Sequence, residues 1–209
     1  MANLTDLTSK EFLTELASAA PAPGGGGGAA MAGALAAALS SMVCNLTLGK
    51  EKFAAQAAEV ESVLVKAERA RERLLELVQE DAAVFNSFMS CYKLPKATDE
   101  EKVARTAAIR AAAKKAAEVP LAIARESFAV LELADELVVC GNPGVITDGA
   151  CSGLLARAAL RCAEYNVRIN LGLTKDAEWN AQVHAELEAM LTQAEALEAK
   201  LLAVTDKAL

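Results

Sequence analysis

Between Leu16 and Gly49 the chain reads LASAAPAPGGGGGAAMAGALAAALSSMVCNLTLG, without one charged side chain. The run is long enough for a membrane span, which needs about 20 apolar residues. Against that reading stand Pro21, Pro23, five consecutive glycines, and Ser40, Ser41, Asn45 and Thr47 inside the run. Upstream lie Asp6, Glu11 and Glu15, where a secretory leader would carry basic residues. The segment therefore reads as a buried helix of a soluble bundle, its small residues allowing close approach of neighbouring backbones.

The rest of the composition agrees. Of 209 residues 54% are hydrophobic, yet only 4% are aromatic, and 47 are alanine. Ala, Leu, Glu, Lys and Arg favour helix, while a β-sandwich would want β-branched and aromatic residues. The apolar content excludes a disordered acidic tail, and twelve glycines and five prolines are too few for a collagen-like chain. A net charge of −7 leaves no electrostatic footprint for nucleic acid or an anionic membrane. Five cysteines (Cys44, Cys91, Cys140, Cys151, Cys162) contain no C-x-x-C pair, and His184 is the only histidine, so no zinc-ligand spacing exists. Cys151 and Cys162 fall on one helix face and read as small buried hydrophobes. Reduced thiols point to the cytoplasm.

Helix signals recur along the chain. Thr8 with Glu11 has capping-box spacing, predicting a short helix to about Ala20. Pro21–Gly28 reads as a break, followed by a helix to about Leu48. A long stretch from Lys50 to about Tyr92 carries Leu74, Leu77, Val78, Asp81 and Phe85 at helical spacing. Thr98 with Glu101 makes a second capping box, and Pro120 either kinks the helix that follows or starts another, reaching about Val139. GNPGVITDG (Gly141–Gly149) is an interior loop with turn residues. Helices over about 150–171 and 175–204 complete an all-α bundle of six to seven helices, one domain spanning residues 1–209.

Several residues could carry chemistry. Glycines ahead of a helix let a ligand lie against free N–H groups, so Gly24, Gly25, Gly26 and Gly27 form either a ligand cradle or a hinge. No nucleotide motif fits them: no strand precedes the run, and Gly49-Lys50 is followed by Glu51. Asp81, bracketed by Leu77, Val78, Val84 and Phe85, either sits at an apolar seam with a raised pKa or turns to solvent. Asp148 is placed to cap a helix and Asn142 to make a turn. Asn45, Asn166 and Asn170 lie in apolar helices and need partners, from a ligand or a nearby backbone. Lys93, Lys96, Lys102, Arg105 and Arg110 form a basic cluster in an acidic chain, which taken alone reads as a solvated helix face.

Taken in order, PAPGGGG (Pro21–Gly27), GAL (Gly33–Leu35), MVCNLT (Met42–Thr47), EDAAVF (Glu80–Phe85) and LPK (Leu94–Lys96) resemble the cyclodeaminase/cyclohydrolase family acting on tetrahydrofolate. TDEEKVAR (Thr98–Arg105), VPL (Val119–Leu121), Gly141-Asn142 with Thr147-Asp148, and NVRIN (Asn166–Asn170) extend the likeness over nearly the whole chain. It is stronger to the stand-alone methenyltetrahydrofolate cyclohydrolases than to the cyclodeaminase part of formiminotransferase-cyclodeaminase enzymes. Gly27 stands where many members carry Ser, and Thr147 where Ser is usual.

The resemblance implies an all-helical homodimer needing no metal and no cofactor beyond its folate. It implies hydrolysis of 5,10-methenyltetrahydrofolate to 10-formyltetrahydrofolate, or the reverse, with Asp81 as the proton-transfer group. Release of ammonia from formiminotetrahydrofolate is the alternative, and a non-catalytic folate-binding dimer the third. The implied substrate contacts are Gly24 to Gly27 for a flat ring, Asn45, Asn142 and Asp148 for the pterin edge, and Lys96 and Arg105 for the glutamate tail. A site shared between two chains would put the small-residue helix at an interface.

Overall fold

A computed structural model describes residues 3–209. The α-helices among them are α1 (Ser9–Leu16), α2 (Gly25–Asn45), α3 (Ala57–Cys91), α4 (Asp99–Cys140), α5 (Ile146–Thr174) and α6 (Ala177–Asp206). Short 3-10 turns lie at Leu4–Asp6, Glu51–Gln56 and Pro143–Val145, and no strand occurs among the described residues. The helix starts follow their local chemistry. Thr8 and Thr98 accept from the N–H of Glu11 and Glu101, and each glutamate reaches back to the capping residue's backbone.

Three expectations about the helix boundaries change. Gly25 to Gly28 are not a break before α2 but its first turn, with Gly24 as the N-cap. Pro120 neither ends α4 nor starts another helix: α4 runs unbroken through it, and the proline is buried. The loop after α4 is short, so Asp148 lies inside the first turn of α5; the N-cap there is Val145, with no side-chain capping bond.

The core forms around α2, which packs against α3, α4 and α5. Ala29, Ala30, Ala34, Ala36 and Ala37 are buried there with Leu74, Leu77 and Val78 of α3, Ala124 and Leu131 of α4, and Ala156 and Leu160 of α5. Small size is required: a Cβ on Gly33 would stand 2.9 Å from Ser127 Oγ and 3.1 Å from a Leu74 methyl. Ser40 and Ser152 are partnered inside this packing. Ser152 donates to the Ala36 carbonyl at 2.7 Å and accepts from Ser40 at 2.8 Å. The helix apolar enough to cross a membrane is thus buried for much of its surface within the bundle.

Two further features lie beyond what the sequence pattern indicates. Glu164 is fully buried between Arg161 at 2.6 Å and Arg168 at 2.8 Å. Cys151 and Cys162 share a helix face as expected, but that face is exposed; Cys44 and Cys140 are the buried thiols. The inward positions of α5 are Gly149, Ser152, Gly153, Ala156, Ala159, Leu160 and Ala163, which turns the two cysteines outward.

Candidate active site

The first turn of α2 meets the middle of α3 at a single carboxylate. Asp81 Oδ2 accepts from the Gly27 N–H at 2.9 Å, using one of the four amide protons that a helix start leaves unpaired. Gly24 provides no side-chain cap, so Asp81, from 54 residues away, supplies an acceptor that a local Ser or Asp would otherwise provide. The approach demands glycine. A Cβ on Gly26 would sit 2.2 Å from Asp81 Oδ1 and 2.8 Å from Oδ2.

Asp81 opens on a cavity of about 410 Å³, within the range of small-molecule sites. Pro21, Ala22 and Gly24 to Gly26 form one wall. Val84, Phe85 and Phe88 of α3 form another, and Ala116, Val119 and Pro120 of α4 a third. α5 closes it with Asn166, Ile169, Asn170 and Leu173. Asp81 is the one ionisable group among the described residues lining it. Burial beside these apolar walls pushes its carboxyl above the ordinary carboxylate range, and the Gly27 N–H draws it part of the way back. A carboxylate so placed suits a cationic ligand and proton exchange with it.

The two α5 amides are held from behind. Asn166 donates to the Cys162 carbonyl at 2.8 Å. Asn170 donates to the Asn166 carbonyl at 2.8 Å and to the Ala116 carbonyl at 3.0 Å. Ala116 precedes Pro120 by one helical turn, and a proline has no N–H to give that carbonyl. Asn170 fills the gap.

The remaining candidates lie apart from Asp81 within the chain. Asn45 is exposed at the far end of α2, about 30 Å along the helix, on a shallow groove with Ser41, Met42, Glu68 and Arg71. Asn142 is buried and its side chain is engaged within the chain: it donates to the Leu46 carbonyl at 3.0 Å and accepts from Gly144 N–H at 3.0 Å. Asp148 is half-buried nearby in α5. The structure therefore brings Gly24 to Gly26 together with Asp81 and leaves Asn45, Asn142 and Asp148 elsewhere. Lys96 is exposed in the turn between α3 and α4. Arg105 reaches back to that turn, donating to the Tyr92 carbonyl at 3.3 Å with its guanidinium 5.6 Å from the Tyr92 ring. Tyr92 packs edge-on against Phe88, a cavity wall, with ring centres 5.4 Å apart. Arg105 thus connects to the cavity through two aromatic rings.

Asn166 and Asn170, which the sequence marks as amides needing a ligand or a backbone partner, are not among the substrate contacts that the family resemblance implies. Their signal there is two amides one turn apart in an apolar helix. Among the described residues no group of His, Cys, Asp or Glu side chains could hold a metal ion.

Residues 8–189 match the formiminotransferase-cyclodeaminase family. The chain is 44% identical over 194 residues to the methenyltetrahydrofolate cyclohydrolase of Methylorubrum extorquens, covering 93% of each. It is 33% identical to the formimidoyltransferase-cyclodeaminase of Sus scrofa, spanning 34% of that longer enzyme. The solved formiminotetrahydrofolate cyclodeaminase of Thermotoga maritima superposes with a TM-score of 0.86 at 28% identity, each chain covered to 96%. By sequence over nearly its whole length and by fold, the chain belongs to the formiminotransferase-cyclodeaminase family.

Proposed function

We propose that the protein hydrolyses 5,10-methenyltetrahydrofolate to 10-formyltetrahydrofolate, reversibly, with Asp81 transferring the protons. One observation carries the reading: a half-buried carboxylate, its charge uncompensated by any cation on the described cavity wall, faces a mostly apolar chamber of folate-ring size. The methenyl bridge is a cationic amidinium, and the pterin is flat and apolar on its faces. The 44% identity to a protein named for this activity supports the choice.

The chemistry follows from that placement. As carboxylate, Asp81 takes a proton from a water whose oxygen adds to the bridge carbon, giving a neutral carbinolamine. The bond from that carbon to N5 then breaks while Asp81 returns its proton to N5. The hydroxyl proton leaves to solvent, and the carbon becomes the formyl group on N10. The balance is one water consumed and one proton released. Desolvation that raises the Asp81 pKa makes its carboxylate a stronger base toward the attacking water. Gly25 and Gly26 line the cavity at the start of α2, where a helix leaves N–H groups without intrahelical partners and favours negative charge.

The glutamate tail would leave past Phe88 and Tyr92 toward Arg105 and Lys96. No metal or cofactor beyond the folate enters the scheme, nor does nucleic acid or a membrane, and the cytoplasm is the expected location. A homodimer is supported by the apolar stripe Leu35, Met42 and Leu46 exposed along α2. Such a pairing could bring the far-end residues Asn45 and Asp148 to another chain's substrate.

An absorbance assay tests the activity. Loss of the near-UV band of methenyltetrahydrofolate on adding the protein is expected. Appearance of that band from formiminotetrahydrofolate, with ammonia, would assign the cyclodeaminase reaction instead, which the likeness to the Thermotoga maritima enzyme favours. Folate binding without either change would leave a non-catalytic binding dimer.

A further inference from the structure

The Asp81 cavity has two amides that the proton-transfer chemistry does not use. Asn170 has both amide protons engaged by backbone carbonyls, one of them the Ala116 carbonyl left without a helical partner by Pro120. Its remaining hydrogen-bonding capacity is therefore acceptor only, at Oδ1. Asn166 gives one amide proton to the Cys162 carbonyl, and its amide faces the α2 start, with Nδ2 3.3 Å and Oδ1 3.5 Å from where a Gly25 Cβ would stand. Both residues line the cavity, and their spacing puts them about 6 Å apart along one face of α5. Adjacent glycines separate them from the reacting group: Gly26 abuts Asp81, and Gly25 abuts Asn166.

Such a pair selects for donors. The Asn170 oxygen, fixed from behind beside apolar walls, goes unsatisfied under a ligand that offers no N–H group, and the Asn166 oxygen one turn away adds a second acceptor. A reduced pterin carries its donors together at one end, the 2-amino group and N3–H of the pyrimidine ring, away from the bridge between N5 and N10. We infer that Asn166 and Asn170 accept hydrogen bonds from the 2-amino and N3–H groups of the folate pyrimidine ring, and so set which ring system enters. The assignment rests on the folate reading above. It moves recognition of the pterin edge from Asn45, Asn142 and Asp148 to the helix that carries Ile169 and Leu173 against the ring.

The experiment pairs a deletion in the ligand with a deletion in the protein. Dissociation constants for tetrahydrofolate and for its 2-desamino-2-methyl analogue are measured on the full chain and on Asn166→Ala, Asn170→Ala and Asn170→Ser. The unmodified protein should prefer tetrahydrofolate by roughly tenfold or more. That preference should shrink at least severalfold in Asn166→Ala or in an Asn170 variant. A purely structural amide would weaken both ligands alike and leave their ratio unchanged; that result overturns the inference. Equal binding of the two ligands by the unmodified protein overturns it without any variant, so a misfolded Asn170→Ala does not decide the matter. Failure to bind tetrahydrofolate at all would instead remove the folate reading itself.

Discussion

Gly26 and Asp81 touch so closely that the α2 backbone leaves no room for a side chain between them: a Cβ on Gly26 would stand 2.2 Å from the carboxylate oxygen. The neighbouring Gly27 N–H holds the other oxygen at 2.9 Å. The helix start and the carboxylate are fitted to each other, and each constrains the other's chemistry.

Gly26→Ala should therefore damage activity far more than stability. Alanine gains about 1 kcal/mol of helix propensity over glycine, while the short Asp81 side chain must swing aside and lose the Gly27 bond. A displacement of this kind at a reacting group costs about a hundredfold in kcat/KM. Gly28→Ala is the control, because its Cβ meets nothing nearer than a Leu16 methyl at 4.0 Å. It should raise stability by about 0.5–1 kcal/mol and leave turnover unchanged. Urea denaturation with steady-state rates on both variants checks the contrast, and equal activity of the two would remove the tight fit as a functional constraint.

Asp81→Asn should lower kcat by about 10²- to 10⁴-fold. Its effect on stability should depend on pH in an unusual direction. Burial raises the folded Asp81 pKa, so in the window between the ordinary aspartate pKa and the raised one the folded state binds more protons than the unfolded. Stability contributed by this group is thus lost as pH rises through that window. At pH 7 the chain carrying the neutral Asp81→Asn substitution should be the more stable of the two, and the gap should close as pH falls below about 4. Denaturation midpoints across about pH 3.5–7.5 measure this. The unmodified protein's kcat/KM should fall on the acid side as Asp81 becomes protonated.

Arg105→Ala and Lys96→Ala test the tail exit. Arg105 orders the Tyr92 turn that backs Phe88, whereas Lys96 is exposed, so the arginine change should have the larger effect. Each should raise KM for a polyglutamylated substrate by up to about tenfold, less at high salt, with kcat little altered. Monoglutamate substrate should show a smaller change. Equal KM shifts on both substrates would assign Arg105 to holding the turn rather than to binding charge.

Local chemistry explains which parts of this are legible from the sequence. Thr8 with Glu11 and Thr98 with Glu101 specify helix starts within four residues, and both capping boxes form. Asp81 stands out because a carboxylate among Leu77, Val78, Val84 and Phe85 has few comfortable places to go. The glycine run reads as a break because glycine disfavours helix, and its compensation comes from Asp81 on another helix. Asn142 is recognisable as polar in a turn, but its partner, the Leu46 carbonyl, lies 96 residues away in sequence. The outward face of Cys151 and Cys162 depends on where the rest of α5 packs, which spacing alone does not orient.

Pro120 and Asn170 offer the last test, because the proline's cost in α4 and the amide's orientation are coupled. Pro120→Ala restores an N–H that can bond the Ala116 carbonyl within the helix, the partner Asn170 now serves. Proline in a helix interior is disfavoured by about 3 kcal/mol against alanine, and losing the buried ring offsets part of that gain. The melting temperature should therefore not fall. Asn170, released from one of its two anchors, can rotate and present an N–H where the cavity now offers an oxygen. KM for the folate substrate should rise about tenfold while kcat changes by less than about threefold, since Asp81 and the α2 start are untouched. A variant equally stable and with unaltered KM would mean that Asn170 keeps its orientation without the proline, and that the two positions are independent.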